Sequence, residues 1–470
     1  MSVALLALVL AGCSSVAPRL DLPALPVAQG WAVNGDANEG VAEAHALHWR
    51  DYFIDPGVIS VIEVALANSR DLRLALLRVE EARALYGIQR AEQFPSLGLD
   101  AQGARARTPG DLSLIGRPVV GAEYTAYVGM NSWEIDLWGR VRSLKDGALQ
   151  EYLATQEAQR AARVTLIAEV ASTYEALRSL DERVAVVRET IASREESFRI
   201  FRRRNAVGSS SRLELTQVQT LLYQARSLGA QLEQQRAAQA QALVLLVGVP
   251  LDLSEPPRHT LRTEETLVEL APGLPSDLLI VRPDVAAAEH RLRGASANIG
   301  AARAAFFPRI ALTGSFGTAS AELDGLFGSG SRAWSFAPTI SLPIFDGGSR
   351  RASLDLAEVR QDIAVANYEK AIQVAFREAA DALSARHWLF EQVAIQRDAT
   401  DVQVERARLA NLRFDSGAAA YLEVLDAQRE LLDTRQQLIQ TRSALRANQI
   451  ALYAALGGGA LDTKPSPSIP

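Results

Sequence analysis

Apolar residues recur at heptad spacing along two long stretches of the chain, which predicts coiled-coil helices. From Leu166 to Ile191 the heptad positions, all apolar except Thr173, are separated alternately by four and three residues, and Phe198 follows one heptad later. From Val424 to Leu452 every seventh residue is apolar, and a second apolar column runs beside the first. Such spacing keeps one or two faces of a helix apolar along its whole length. A helix from about residue 140 to 205 would be about 100 Å long and would need packing partners along it.

Other segments alternate between apolar and polar residues with period two, which predicts strands. Residues 334–342 and 122–130 show this alternation. After Met130 the apolar residues Trp133, Ile135 and Leu137 change parity, which indicates a β-bulge. Shorter alternations follow the Phe-Pro pairs at 94–95 and 307–308. The chain therefore offers four strands in two hairpins, with Gly-rich polar loops around residues 107–117 and 320–332.

The two halves of the chain resemble each other. Segments about 210 residues apart recur in the same order. Residues 94–97 recur as 307–310, and residues 208–215 align with 417–424. We interpret this as an internal two-fold repeat, and the second match predicts a helix-turn-helix tip in each half.

The single cysteine, Cys13, follows a short apolar run from Val3 to Leu10. Eight apolar residues are too few to span a bilayer but suit a signal peptide. The quartet at residues 10–13 resembles a bacterial lipobox, so we expect a covalent lipid on Cys13, and the serines after it favour delivery to the outer membrane. A buried N-terminal cysteine is the alternative. No Lys or Arg precedes the run, which leaves the translation start open.

Composition excludes some classes of protein. The chain is 48% apolar and 22% charged, which excludes wholesale disorder, and its net charge of −6 is spread without a basic stripe, which argues against nucleic acid binding. No other stretch approaches about 20 apolar residues, so a membrane crossing would have to use strands. Four strands cannot close a barrel of about eight or more, so several copies would have to pool their hairpins. A soluble sandwich with helical arms is the alternative.

Several motifs resemble the signature of TolC-like outer membrane efflux proteins, in particular their lipidated, OprM-type branch. The resemblance extends from Cys13 to Gly459, and Val281 departs from it because the family often has a second Arg there. The motifs are Trp133–Arg140, Leu274–Leu279, Arg282–Val285, Ala288–Glu289, Ile299–Gly300, Phe306–Pro308, Tyr421–Leu422 and Leu425–Gln428.

The resemblance implies an α+β membrane protein that assembles as a homotrimeric tube. Each chain would give four strands to a shared transmembrane β-barrel in the outer membrane of a Gram-negative bacterium, and its helices to a long periplasmic coiled-coil barrel. The tube would be the passive exit duct of a tripartite pump for drugs or other small toxic compounds. A periplasmic adaptor would join it to an inner membrane transporter, commonly of the resistance-nodulation-division class. No cofactor is implied beyond the lipid on Cys13.

The resemblance also gives expected segment boundaries. The repeats contain β-hairpins at about 94–138 and 307–346 and long helix pairs at about 140–247 and 347–456. The expected segments are a signal peptide at 1–12, a lipidated segment wrapping the periplasmic equatorial region at 13–55, a first repeat at 56–249, an equatorial linker at 250–275, a second repeat at 276–457 and a flexible tail at 458–470.

By the same resemblance, the tip of the second helix pair would carry a gate. Leu422 would form an apolar ring and Asp426 an acidic ring, and the two lie one helical turn apart. Arg413 would pair with an aspartate of its own or a neighbouring chain. Phe414 departs from the family, which often has Tyr there. The alternative is that Leu422 is ordinary packing and Asp426 a solvated charge.

The first-half counterparts of the gate residues are Leu213 and Gln217, which lack the acid, so the two tips should not contribute equally. The turn residues at both tips mark where an adaptor would make contact. They are Gly208, Ser209, Gly417 and Ala418.

Nothing in the sequence resembles an active site. The five histidines lack metal-site spacing, and the abundant Asp and Glu on exposed heptad faces are expected to be solvating charges. We therefore expect neither catalytic residues nor a metal. The competing functions are a non-conducting structural coiled-coil lipoprotein and an exit duct for protein secretion.

Overall fold

A computed structural model describes residues 47–253 and 282–460, together with 42–44, 267–268, 270–271 and a few single positions between 16 and 27. The expected lipid site at Cys13, the signal peptide at 1–12 and most of the tail lie outside the described residues. So does the whole family motif at Leu274–Leu279.

Helices and strands follow in the same order in both halves of the chain. In the first half the elements are α1 (Trp49–Tyr52), α2 (Pro56–Asn68), α3 (Arg70–Ala91), β2 (Leu97–Thr108), β3 (Val119–Glu134), α4 (Arg140–Ala206) and α5 (Arg212–Val247). In the second half they are α6 (Pro283–Ala304), β5 (Arg309–Ser320), β6 (Arg332–Ser341), α7 (Ser349–Asp415) and α8 (Tyr421–Ala455). The two-residue strands β1 (Ala42–Glu43) and β4 (Leu270–Ala271) pair in parallel.

The long helices match the heptad pattern closely. Helices α4 and α7 each have 67 residues, and α5 and α8 have 36 and 35. Helix α4 begins at Arg140 and ends at Ala206, one residue beyond the expected Asn205. No described helix is both long enough and apolar enough to cross a membrane.

The four longer strands form one antiparallel sheet in the order β2-β3-β5-β6. The central contact, β3 with β5, joins a strand from each half of the chain. Gly317 of β5 permits this approach, because a Cβ atom there would lie 2.1 Å from the carbonyl oxygen of Ala126 on β3. Among the described residues, β2 and β6 are bonded to a neighbour on one side only.

The predicted β-bulge is confirmed. The register of β3 against β5 shifts between Met130 and Trp133, and Ser132 has a positive φ of 37°. The alternation nevertheless continues past the end of the strand. Helix α4 is already being capped there, because Asp136 Oδ2 accepts a hydrogen bond from Arg142 N at 2.8 Å and Gly139 turns the chain at φ 77°.

At the other hairpin, β6 ends at Ser341, although the alternation continues to Ile344. Pro343 has no N–H to donate to a ladder, and Gly347 and Gly348 take positive φ angles of 63° and 90°. The predicted strand residues 342–344 are therefore outside β6.

The described chain divides into two compact units, each of which contains parts of both halves. The first comprises Met1–Ala24, Arg78–Gln156 and Ala287–Glu369, and the second comprises Leu25–Leu77, Glu157–Ala286 and Lys370–Pro470. The sheet lies in the first unit and the helical tips lie in the second. Strands that are far apart in sequence thus share one sheet.

The core of the second unit packs α1 and α2 against the long helices. Trp49, Tyr52 and Tyr453 are its largest buried side chains, and the Tyr52 and Tyr453 rings stack with centroids 4.2 Å apart. Glu175 of α4 and Arg446 of α8 form a buried ion pair, with Oε2 and Nη1 2.9 Å apart. The expectation of solvated carboxylates concerned exposed heptad faces, and Glu175 lies outside it because its side chain is buried.

Candidate gate at the helical hairpin tips

Both long helix pairs turn through the same backbone motif. Gly208 and Gly417 adopt positive φ angles of 76° and 73°, which favour glycine. Ser209 N donates to Arg204 O, and Ala418 N donates to Arg413 O, each at 2.8 Å. These are Schellman turns, which bond the last carbonyls of α4 and α7. The predicted tips are confirmed as turns, and the two glycines are explained by the positive φ angles that these turns require.

The helices that leave the two tips begin differently. Ser211 caps α5 through a capping box, in which its hydroxyl accepts from Glu214 N at 3.1 Å and its own N–H donates to Glu214 Oε2 at 2.7 Å. Ala420 precedes α8 and makes no side-chain cap bond. The start of α8 thus lacks a stabilising contribution of about 1 kcal/mol that α5 has.

Tyr421 connects the second tip to the first. It is buried, and its ring centroid lies 4.3 Å from that of Phe201 on α4 and 4.8 Å from that of Phe414 on α7. Its hydroxyl lies 2.9 Å from the hydroxyl oxygen of Ser197 on α4. Burial raises the pKa of Tyr421, so the phenol stays neutral at physiological pH.

From sequence alone, Tyr421 has no separate role and is only part of a family motif. One signal was available. Tyr421 stands where the first-half alignment has Arg212, so an aromatic replaces a charge at equivalent positions of two otherwise similar turns.

The proposed ring residues lie together on an exposed face of α8. Leu422 is 49% exposed, the Asp426 side chain is 44% exposed, and one helical turn separates them. About half of the Leu422 surface is thus left uncovered by its own chain. Asp426 Oδ1 lies 3.5 Å from Arg429 Nη2, a surface ion pair that the sequence had not indicated.

Arg413 lies beside a different acid from the one expected. Its Nε is 3.4 Å from Glu423 Oε1, so within one chain the expected aspartate is replaced by Glu423. The reason is geometric. Glu423 is the third residue of α8 and faces the last turn of α7 across the Schellman turn, while Asp426 is almost a turn further along.

The first-half counterparts differ in chemistry, as expected. Leu213 is 67% exposed, and Gln217 is half-buried and uncharged. Only the second tip therefore places an exposed leucine and a carboxylate one turn apart.

Above the tip, polar contacts hold α8 to α4. Arg183 Nε donates to Gln436 Oε1 at 2.7 Å, and the Gln436 amide donates back to Arg183 O at 3.2 Å. The buried pair of Glu175 and Arg446 lies further along the same two helices. Side-chain contacts thus hold α8 to α4 both at Gln436 and at Arg446.

No group of His, Cys, Asp and Glu in the described part of the chain could hold a metal ion. The chemistry of the tips is that of apolar, acidic and basic side chains exposed to solvent.

Comparisons with known proteins agree with this architecture. The outer membrane efflux protein family matches residues 61–249 and 274–458. The chain is 45% identical to the outer membrane protein OprJ of Pseudomonas aeruginosa, over 98% of this chain and 95% of OprJ. It is 44% identical to the solvent efflux pump outer membrane protein SrpC of Pseudomonas putida, over 96% of each.

Solved structures give the same result. A membrane protein from Pseudomonas aeruginosa superposes with a TM-score of 0.88 at 44% identity, covering 94% of this chain and 100% of that one. The open state of the MtrE outer membrane channel of Neisseria gonorrhoeae gives 0.86 at 36% identity, covering 95% and 99%.

The helices, sheet and tips define an outer membrane channel of the efflux type. The chain belongs to the outer membrane efflux protein family, which is a family of transport channels and not of enzymes.

Proposed function

We propose that this chain is the exit channel of a tripartite efflux system and works as a homotrimer. Each copy contributes its four strands to a shared barrel and its long helices to a periplasmic coiled-coil barrel. The edge strands β2 and β6 support this, because within the described part of the chain each is paired on one side only, and a neighbouring copy can pair the other side. The lipid on Cys13 anchors the assembly in the outer membrane.

The exposed pair of Leu422 and Asp426 carries the proposal. Three copies around an axis would place three leucines beside three carboxylates at the narrow end of the duct. An apolar ring blocks water and ions by dewetting, and a ring of carboxylates favours cations. The contacts of Tyr421 with α4 hold this end of α8 in place, and the ion pair of Arg413 with Glu423 braces the turn.

The partners follow from this assignment. A periplasmic adaptor would contact the tips around Gly208, Ser209, Gly417 and Ala418, and would join the channel to an inner membrane transporter of the resistance-nodulation-division class. That transporter supplies the energy, so the channel itself needs no cofactor.

We propose organic solvents and antibiotics as cargo. SrpC and TtgI are named for solvent and toluene efflux, and ArpC, which is 40% identical to this chain, is named for antibiotic efflux. A water-filled duct places little constraint on such compounds, so selection would rest with the partners.

Single-channel conductance of the purified lipidated protein in planar bilayers tests the proposal. Wild type should give discrete low-conductance events, and Asp426→Ala and Leu422→Ala should raise the conductance because each removes one ring. Gln217→Ala, at the first-half counterpart of Asp426, is the matched control and should behave as wild type. Absence of channels from confirmed trimers of all four proteins would instead favour the structural lipoprotein.

A further inference from the structure

The first tip carries a charge that the second lacks. Residues 197–219 contain five arginines and one glutamate, a net charge of +4. The aligned residues 406–428 contain three arginines and three acids, a net charge of zero. Three of the five arginines, Arg202, Arg203 and Arg212, stand where the second half has Asn411, Leu412 and Tyr421.

These three arginines are free to bind a partner. All three are exposed, and none of their side chains makes a hydrogen bond or an ion pair within 4.0 Å to another described residue. The one acid of the segment, Glu214, is engaged in the capping box of α5. The charge of this tip is therefore only partly offset by its own chain, through the nearby carboxylates of Glu196 and Glu214.

The other two arginines of the segment are occupied. Arg199 bonds Glu196, and the Arg204 guanidinium lies 5.3 Å from the ring centroid of Phe201. At the second tip, Arg413 lies beside Glu423. Among the arginines of residues 197–219, Arg202, Arg203 and Arg212 are thus the three that have neither a bonded carboxylate nor a ring contact among the described residues.

Two exposed apolar residues lie among these arginines in the chain. Val207 is 80% exposed and Leu213 is 67% exposed. We call Arg202, Arg203, Val207, Arg212 and Leu213 the arginine tip surface. Exposed apolar side chains flanked by arginine are typical of protein interfaces, in which arginine is enriched and contributes strongly to affinity.

We propose that the arginine tip surface is the docking site for a periplasmic adaptor whose helical tip presents carboxylates. The inference rests on the proposed function and adds to it the chemistry of the partner. Guanidinium groups recognise carboxylates through paired N–H donors. The exposed apolar area is two aliphatic side chains with no exposed aromatic, which suits a small protein contact better than insertion into a lipid surface.

The difference in charge predicts that the two tips bind an adaptor differently. Because the second tip is neutral, its contacts with an adaptor cannot depend on charge in the same way. Adaptor copies at the two tips would therefore bind with different salt dependence, and the carboxylate contact would form at the first tip.

The test measures binding of a defined probe to full-length lipidated trimers in nanodiscs. The probe is a disulfide-closed helical hairpin with glutamates around its turn, and its twin carries glutamines instead. The variant R202Q/R203Q/R212Q is compared with R188Q/R226Q/R377Q, which removes the same charge from exposed helix positions elsewhere. Vesicles of phosphatidylglycerol form the second arm.

Wild type and the control variant should bind the glutamate hairpin at least about tenfold more tightly than the glutamine hairpin at low salt, because three exposed ion pairs are made. The preference should shrink in high salt and vanish in the tip variant. Equal affinity of wild type and tip variant for the glutamate hairpin would overturn the inference. So would a wild type that binds the vesicles through these arginines but shows no preference between the hairpins.

Conductance of the same wild-type trimers separates this inference from the function on which it rests. If the trimers never conduct, both the proposed function and the docking site are contradicted. Conducting trimers whose hairpin binding ignores the three arginines would overturn the docking site alone.

Discussion

Replacing Tyr421 should loosen the second tip by an amount that the structure allows to be worked out. Tyr421→Phe removes the bond to Ser197, which is worth about 1 kcal/mol. Tyr421→Ala also removes a buried ring in contact with Phe201 and Phe414, at a cost of about 3–5 kcal/mol. The bond to Ser197 and the contact with Phe201 link α8 to α4. Losing them therefore raises the free energy of the conformation in which these two helices are in contact.

The free energy lost at Tyr421 can be converted into an expected change in how often the channel is open. Since about 1.4 kcal/mol is tenfold in an equilibrium, Tyr421→Phe should shift the population of the displaced tip about fivefold. Tyr421→Ala should shift it by about a hundredfold to a few thousandfold if all of the contact energy differs between the two conformations, and by less if only part of it does. Single-channel recording measures this as open occupancy.

A double-mutant cycle of Tyr421→Phe with Ser197→Ala isolates the hydroxyl contact, and the coupling energy should be about 1 kcal/mol. Tyr223→Phe is the matched control, because Tyr223 is 53% exposed on α5. Folded Tyr421→Ala trimers with the open occupancy of wild type would refute the idea that this ring holds the tip.

Three further sites test packing elsewhere in the chain, two in the helical unit that contains the tips and one in the sheet. Glu175→Gln should lower stability by about 3–5 kcal/mol in chemical denaturation, because it leaves the buried Arg446 charge unpaired, whereas Glu175→Leu with Arg446→Met should be nearly neutral. Gly57→Ala should lower the melting temperature, since its Cβ would lie 2.3 Å from the Tyr174 hydroxyl, and adding Tyr174→Phe should restore most of the loss. Gly317→Ala should reduce the yield of heat-resistant trimers on gel electrophoresis, because its Cβ would meet the β3 backbone; unchanged yield would contradict the observed register.

The elements with a strong local period were predictable from sequence. A heptad pattern sustained over many turns defines α4 and α8, and a change of parity after Met130 is enough to indicate a bulge. The glycines at Gly208 and Gly417 mark helix ends because few other residues tolerate a positive φ.

Features that depend on distant contacts were not predictable. The apolar alternation continues past Glu134, where β3 ends. The turn that follows is held in part by a hydrogen bond from the Trp138 indole to the carbonyl of Pro308, a contact between distant parts of the chain that the local pattern does not contain. The pairing of β3 with β5 joins residues from opposite halves of the chain. A period-two pattern predicts a strand but does not show which other strand pairs with it.

Ion-pair partners were the least predictable part of the candidate site. Arg413 lies beside Glu423 because of how one turn closes, and Glu175 is buried because Arg446 on a helix far along the chain meets it. Composition and heptad position give the number of charges on a helix, but only the packed structure shows which of them are removed from water.

The one-sided edges of the sheet make a single copy vulnerable. Strands β2 and β6 present N–H and C=O groups that the rest of their own sheet does not satisfy, and such edges are templates for indiscriminate aggregation. An unassembled copy is therefore more prone to aggregation than one that pairs quickly with other copies of the chain. Mass action, rather than the intrinsic stability of each copy, would then decide how much of the newly made protein reaches its working form.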